Sequence, residues 1–322
     1  GAGADGRRDL RRVEQVEIVT PDRIAPDWIA LDWGTTRLRA WAMQGARVLE
    51  ARASDQGMGA LTPEGFEPAL LALTRDWLPA TGRIPVIACG MVGARGGWAE
   101  AGYRPVPCPP LDPQAAIRPA TRDPRLDLRI LPGLSQAQPP DVMRGEETQI
   151  AGFLAGNPGF DGTLCLPGTH SKWVRLRDGE VAQFQTFMTG ELFALLARRS
   201  VLRLTLAEAA PDAGAFAQAG AQALADPDAV MAGLFPLRAG ALLQGLAPEQ
   251  AAGRLSGLLI GAELASARAF WQDAPVVLIG APDLTRLYET LLLAQGARPT
   301  HQDGAALVLA GLTAAHATPE GT

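Results

Sequence analysis

The sequence predicts an α/β fold of two related halves, each opening on a three-stranded antiparallel meander, with a cleft between them. Three observations carry this expectation. Ile29 to Thr36 is an alternating apolar run that breaks on Gly34 and two small hydroxyl residues before a second alternating run begins, the pattern of strand, tight turn and returning strand. The unit returns at Thr163 to Phe187: a strand, the turn Pro167-Gly168-Thr169-His170-Ser171-Lys172, a strand, an Asp178-Gly179 hairpin and a third strand. Gly34 to Gly45 and Gly168 to Gly179 are both eleven residues apart, so the two meanders are of equal size and each opens on Gly-Thr.

Composition bounds the rest. A chain of 322 residues, 47% hydrophobic and 20% charged, with 36 Gly and 26 Pro, suits two turn-rich domains. A net charge of −5 gives no basic footprint for nucleic acid or an anionic membrane, and no apolar stretch reaches the roughly 18 residues of a membrane span. Cys89, Cys108 and Cys165 are far apart, which fits a reducing cytoplasm, and His170, His301 and His316 are isolated from one another. The first 26 residues carry Arg7, Arg8, Arg11 and Arg12 without an apolar core, so a mobile leader is expected there. An N-terminal half over 27–142 and a C-terminal half over 143–322 follow.

In chain order, Arg37 to Met43 and Arg47 to Ala53 complete the first meander around a Gln44-Gly45 turn. Thr62-Pro63 is expected to start a helix running to Trp77, with Thr62 as N-cap. Ile84 to Cys89 is a short buried strand emptying into the glycine-dense loop Gly90 to Trp98, where close approach of a ligand or another backbone is expected. Tyr103 to Pro140 reads as a connector with one strand at Leu126 to Leu131. The second half is then helical: Gly190 to Arg199, Ala-rich segments to about Leu246, and a long helix over Pro248 to Trp271 whose Gly253, Gly257 and Gly261 share a face for helix packing. A strand at Pro275 to Ile279, Gly280, a helix from Asp283 to Leu293 and a final helix from Gly304, capped by Asp303, close the chain.

Asp32 at a strand end beside the Gly34-Thr35-Thr36 turn is the arrangement a Mg·ATP site needs, because the metal must be held next to the phosphates it neutralises. Two such turns facing a cleft, a late strand-glycine-helix at Gly280 for the nucleoside and a helix-rich insertion describe the actin-like ATPase and sugar-kinase architecture, two RNase-H-like domains closing on ATP. Hinge closure on binding is expected, with the crossing near Gly90 to Gly97.

Six blocks in order carry a more specific resemblance: Leu31-Asp32-Trp33-Gly34-Thr35-Thr36, Gly90-Met91-Val92-Gly93 through Gly97-Trp98, Met143-Arg144-Gly145-Glu146-Glu147-Thr148-Gln149, Leu166 to Trp173, Thr189-Gly190-Glu191-Leu192 and Ser256 to Glu263. From about Trp28 to Ala315 the chain resembles the 2-dehydro-3-deoxygalactonokinase family. The resemblance implies a sugar-acid kinase with ATP and Mg²⁺ as cofactors, a small-molecule sugar acid as partner and a homodimer as a possible assembly. ATP would phosphorylate the 6-hydroxyl of 2-dehydro-3-deoxy-D-galactonate.

Each part of phosphoryl transfer then has candidates. Asp32 would hold Mg²⁺, directly or through water. Gly34, Thr35 and Thr36 would take one end of the phosphate chain, and Gly168, Thr169 and His170 the other. Many members of the superfamily carry an Asp in the second turn, but Pro167 stands there, which places more weight on Asp32. Glu146 and Glu147, in the first turn of a helix, are both candidates for the base that activates the sugar hydroxyl, with Glu147 slightly preferred; both could also simply occupy the favoured acidic first turn. Arg144, Arg95 and Lys172 are the cations for the substrate carboxylate, Arg144 first because it adjoins the base, with Lys172 as an alternative partner of the γ-phosphate. Glu191 either hydrogen-bonds substrate hydroxyls or caps its helix, and His301 and His316 are surface or packing residues.

Two other readings compete. An exopolyphosphatase-type phosphohydrolase on the same architecture would use water as acceptor, but the Pro-Gly-Thr-His turn and acidic charge do not suit it. A non-catalytic ATP-binding actin-like protein would be expected to lack Asp32 or both glutamates, and all three are present.

Overall fold

The computed structural model of the chain describes residues 24–206 and 210–318; the expected leader lies outside the described residues as far as residue 23. Two five-stranded sheets organise it. The first contains β1 (Trp28–Trp33), β2 (Leu38–Gln44), β3 (Arg47–Ser54), β4 (Ile84–Gly90) and, after α1 (Phe66–Thr74) and the short β5 (Tyr103–Pro105), β6 (Leu126–Ile130). Their order is β3-β2-β1-β4-β6, with the meander antiparallel and β4 and β6 parallel to β1. β7 (Gly133–Gln136) pairs with β5 on one side and β8 (Asp141–Met143) on the other in a small separate sheet, and α2 (Glu146–Gly156) follows.

The second sheet repeats the first. β9 (Gly162–Leu166), β10 (Ser171–Arg177) and β11 (Glu180–Phe187) form the meander. The helical segment is α3 (Thr189–Arg199), α4 (Arg203–Leu206), α5 (Ala213–Ala225), α6 (Val230–Leu243), α7 (Pro248–Ser266) and α8 (Arg268–Trp271), and the chain ends in β12 (Val276–Ile279), α9 (Pro282–Ala294), β13 (Thr300–Gln302) and α10 (Gly304–Ala317). The order β11-β10-β9-β12-β13 is that of the first sheet. This is the two-domain actin-like ATPase and sugar-kinase architecture expected from the repeated meander.

β1 is apolar throughout except for Asp32 because both its faces are covered. Ile29, Leu31 and Trp33 pack with Phe66 and Leu70 of α1, while Trp28 and Ala30 pack with Val308, Leu312 and Ala315 of α10. The helix that ends the chain therefore lies on the first sheet. Conversely, α2 turns Ile150 and Phe153 onto Leu164, Leu166, Val277 and Ile279 of the second. The two helices cross where a Cβ on Gly152 would come 2.0 Å from the Leu307 carbonyl oxygen and a Cβ on Gly311 2.0 Å from that of Thr148. The glycine face of α7 serves helix packing: Gly253, Gly257 and Gly261 each bring the helix within 2.4 Å, measured from an added Cβ, of a carbonyl oxygen of Asp212, Phe216 or Gly220.

Three expectations need correction, and one strand has no counterpart in the sequence reading. Thr62-Pro63 opens a single 3-10 turn over Pro63–Gly65, Thr62 makes no side-chain cap, and the α-helix begins at Phe66. The long helix breaks at Ala267 into α7 and α8. The connector from Tyr103 to Pro140 contributes two strands of the small sheet. β13, an exposed Thr-His-Gln segment, has no alternation to announce it and pairs only through its backbone with β12.

Candidate active site

The first turn is built on itself and braced from behind. The Gly34 N–H donates to the Arg37 carbonyl at 2.9 Å, closing the hairpin so that Asp32 stands opposite Arg39. The segment after β3 then packs under the turn: Met58 N–H donates to Gly34 O at 3.0 Å and Gly59 N–H to Thr35 O at 2.8 Å. A Cβ on Gly57 would lie 2.3 Å from the Thr36 carbonyl carbon, so only glycine permits the approach. With the carbonyls held from beneath, Thr35 and Thr36 are exposed. Asp32 Oδ2 accepts from Arg39 Nε at 2.9 Å and from Arg39 Nη2 as well, a forked ion pair at the cleft edge.

The second turn is braced in the same way by the chain after β11. A Cβ on Gly190 would lie 2.3 Å from Gly168 O, Glu191 N–H donates to Thr169 O at 3.0 Å, and the Glu191 Oε2 meets His170 Nε2 at 2.6 Å. Glu191 and His170, expected in separate roles, thus act on one turn. Gly280 reaches the other end of the turn, a Cβ there being 3.4 Å from Pro167 O. Beside it a cavity of about 470 Å³ is lined by Gly280, Pro282, Thr285, Arg286, Glu289 and His301, the last two paired at 3.0 Å. His316 instead stacks on Trp28, ring centroids 4.4 Å apart.

Between the turns stands the start of α2. Gly145 has φ +105°, a backbone conformation that suits glycine, and faces Gly90, whose own added Cβ would be 3.5 Å from Asp32 Oδ1. On its other side, Glu146 Oε1 lies 3.7 Å from Nζ of the buried Lys172 at the second turn. The acidic helix start therefore touches the neighbourhoods of both turns.

The two glutamates differ in environment. The Glu146 side chain is 26% exposed, and its Oε2 accepts from the Arg144 N–H at 3.1 Å. Glu147 is wholly buried, with Oε2 accepting from the Gly145 N–H at 2.6 Å. Burial, and then the neighbouring Glu146 charge, pushes its carboxyl up to about 8. A base must first reach the proton it takes, whatever its pKa, and by that criterion Glu146 is the accessible carboxylate. Cys89 is buried near both Asp32 and Glu147, and burial followed by those two charges holds its thiol well above the usual range.

Arg144 donates from Nη2 to Gly102 O at 2.7 Å and stacks over the Tyr103 ring at 4.4 Å, while its Nε and Nη1 are buried without a hydrogen-bond partner. Arg95 is exposed on the glycine-rich loop. Sequence reasoning missed Arg39 and Tyr103. Counting residues across the Gly34 turn pairs position 32 with 39, so Arg39 was within reach; Tyr103 sits in the presumed connector and carried no signal.

Residues 32–315 match the model of the family described as 2-keto-3-deoxy-galactonokinase. The chain is 43% identical over 295 residues to a probable 2-dehydro-3-deoxygalactonokinase of Rhizobium meliloti (strain 1021), covering 89% of this chain and 96% of the relative. It is 37% identical over 294 residues to the 2-dehydro-3-deoxygalactonokinase of Escherichia coli (strain K12), covering 90% and 98%. The crystal structure of a Sinorhizobium meliloti protein described as a candidate 2-dehydro-3-deoxygalactonokinase superposes with a TM-score of 0.82 at 43% identity, over 89% of this chain and 97% of that one.

Proposed function

We propose a reaction from one premise: the chain belongs to the 2-keto-3-deoxy-galactonokinase family. It is a kinase that transfers the γ-phosphoryl group of ATP to the 6-hydroxyl of 2-dehydro-3-deoxy-D-galactonate, giving the 6-phosphate and ADP. The phosphohydrolase and non-catalytic readings are not favoured. No helix among the described residues is long and apolar enough to cross a membrane, and a cytoplasmic location suits an enzyme of a small sugar acid. A homodimer would find apolar surface on the helical segment, where Phe235 and Leu243 are exposed.

One observation supports the chemical reading best: the acidic start of α2 stands between the two braced turns, against Gly90 on one side and Lys172 on the other. The turns at Gly34 to Thr36 and Gly168 to His170 cradle the phosphate chain, and the nucleoside lies toward Gly280 and the adjoining cavity. Among the described residues no group of three acidic, His or Cys side chains is gathered for a metal. That suits Mg²⁺, which takes one or two carboxylates and fills its shell with phosphate oxygens and water. Asp32 is the fitting carboxylate, and Arg39 orients it through its two hydrogen bonds to Oδ2. When bound, Mg²⁺ neutralises charge on the phosphates.

Glu146 accepts the proton of the sugar 6-hydroxyl, and Lys172 beside it offers positive charge toward the transferred group. Glu147, largely protonated at neutral pH, fixes the backbone at Gly145 from within. The partnerless Nε and Nη1 of Arg144 are donors for the substrate carboxylate, with Arg95 available from its loop on closure. The test is to incubate the chain with Mg·ATP and 2-dehydro-3-deoxy-D-galactonate and read the product by phosphorus NMR. A phosphomonoester coupled to the C6 methylene protons is expected. Inorganic phosphate as the sole product would make water the acceptor and overturn the reading.

A further inference from the structure

We propose that Glu263 is a positioning residue for the second phosphate turn, its interior carboxylate holding Ser171 and Thr189, at the two flanks of that turn, in register with α9 on the nucleoside side. The inference rests on the kinase reading for what the turn binds.

Glu263 lies on α7, in the helical segment, and is 3% exposed. Its Oε1 accepts from Trp173 Nε1 at 2.8 Å and its Oε2 from the Tyr288 hydroxyl at 2.8 Å. The Ser171 hydroxyl lies 2.9 Å from that of Tyr288, and the Ser171 and Thr189 hydroxyls stand close enough to the carboxylate to favour its charged form. Desolvating a carboxylate is costly, and a packed apolar side chain is often as stable or more so. A helix whose only task was to cover this core would not need the charge.

The partners of Glu263 point to the task. Ser171 is the first residue of β10 and directly follows Thr169-His170. Thr189 precedes Gly190 and Glu191, the two residues that brace the turn from behind. Tyr288 stands on α9 one turn beyond Thr285, which lines the cavity beside Gly280. One carboxylate thereby joins β10, α3, α7 and α9 at the base of a single turn. All of its partners are hydroxyl or indole donors, which an ionised carboxylate can accept together. Burial raises the carboxyl and the four donors oppose that rise. Removing one member leaves others unsatisfied and frees the flanks of the turn to move apart.

The experiment measures the affinity of a non-hydrolysable ATP analogue with Mg²⁺ by calorimetry, alongside thermal stability, for the wild type, Glu263→Gln, Tyr288→Phe, the double variant and Leu237→Ala. Leu237 is a buried core residue of α6 outside the network and serves as a control for stability loss alone. Each single network variant is expected to weaken the analogue by about tenfold, the scale of one hydrogen bond to a charged group. The amide of Glu263→Gln has one acceptor oxygen where the carboxylate had two, so Trp173 and Tyr288 can no longer both donate to it; Tyr288→Phe removes that conflict, and the double variant is expected to recover stability but not affinity, while Leu237→Ala is expected to lose stability alone. Affinities within twofold of wild type in both single variants, or recovery of affinity with stability in the double variant, would make the network mere scaffold and overturn the proposal. Nucleotide binding is read without the sugar acid, so loss of the substrate assignment leaves this test intact. A wild-type chain that binds no nucleotide overturns both.

Discussion

Gly152 and Gly311 occupy the same place in two related helices. Each lies seven residues after a glycine that opens its helix region, Gly145 or Gly304, and each takes the carbonyl of the partner helix three residues after that glycine, Leu307 or Thr148, against its bare Cα. The pseudo-twofold relation of the meanders thus continues into α2 and α10, which meet at its axis. Because α2 packs on the second sheet and α10 on the first, this contact joins the two sheets.

Alanine at either glycine places a Cβ 2.0 Å from a carbonyl oxygen, and backbone cannot give way as a side chain can. Gly152→Ala and Gly311→Ala are each expected to cost at least about 2 kcal/mol in chemical unfolding. Turnover should fall with them because α2 also carries Glu146. Unchanged unfolding midpoints would show that the crossing is looser than described.

Glu147 sets a pH dependence of stability. Its carboxyl is pushed from an ordinary 4.5 up to about 8 by burial and then by Glu146, so the folded chain holds a proton that the unfolded chain releases. The resulting stability is fully present below the unfolded value and is lost as pH rises from about 4.5 through about 8. The expected loss across that window is on the order of a few kcal/mol. Glu147→Gln should flatten this part of a melting profile between pH 5 and 9; an unchanged profile would place the carboxyl at an ordinary value.

Arg144 is the proposed contact of the substrate carboxylate, so its variants should separate substrate from nucleotide. Arg144→Lys keeps the charge but loses the planar fork and its stacking on Tyr103. The KM for the sugar acid is expected to rise about tenfold or more, with the KM for ATP within about twofold. Equal effects on both would move Arg144 out of substrate binding and into the frame of the site.

The meanders, the tight turn at Gly34, the α7 glycine face and the Asp303 cap, which accepts from the Ala305 N–H at 2.9 Å, were legible because each is a local pattern with one geometric solution. The α2 and α10 relation was not. Acidic Glu-Glu-Thr-Gln and apolar Ala-Ala-Leu-Val share nothing except glycine spacing, since what the helices have in common is a backbone contact. Burial separated the two adjacent glutamates: residues 146 and 147 face about 100° apart on a helix, so one lies in the cleft and the other in the core. The Glu263 network was hidden for a similar reason, its members being distant in sequence and ordinary one by one.

The central claim is that Glu146, between the two turns, activates the sugar hydroxyl. Single-turnover phosphorylation of 2-dehydro-3-deoxy-D-galactonate by Glu146→Gln, beside Glu147→Gln and Asp32→Asn, tests it most directly, with ATP-analogue affinity measured on the same samples. The account expects Glu146→Gln to slow the chemical step by roughly 10²- to 10⁴-fold while the analogue binds as in the wild type, and Glu147→Gln to slow it far less. A Glu146→Gln chain that turns over at the wild-type rate while Glu147→Gln is inactive would contradict it and assign the base to the buried carboxylate.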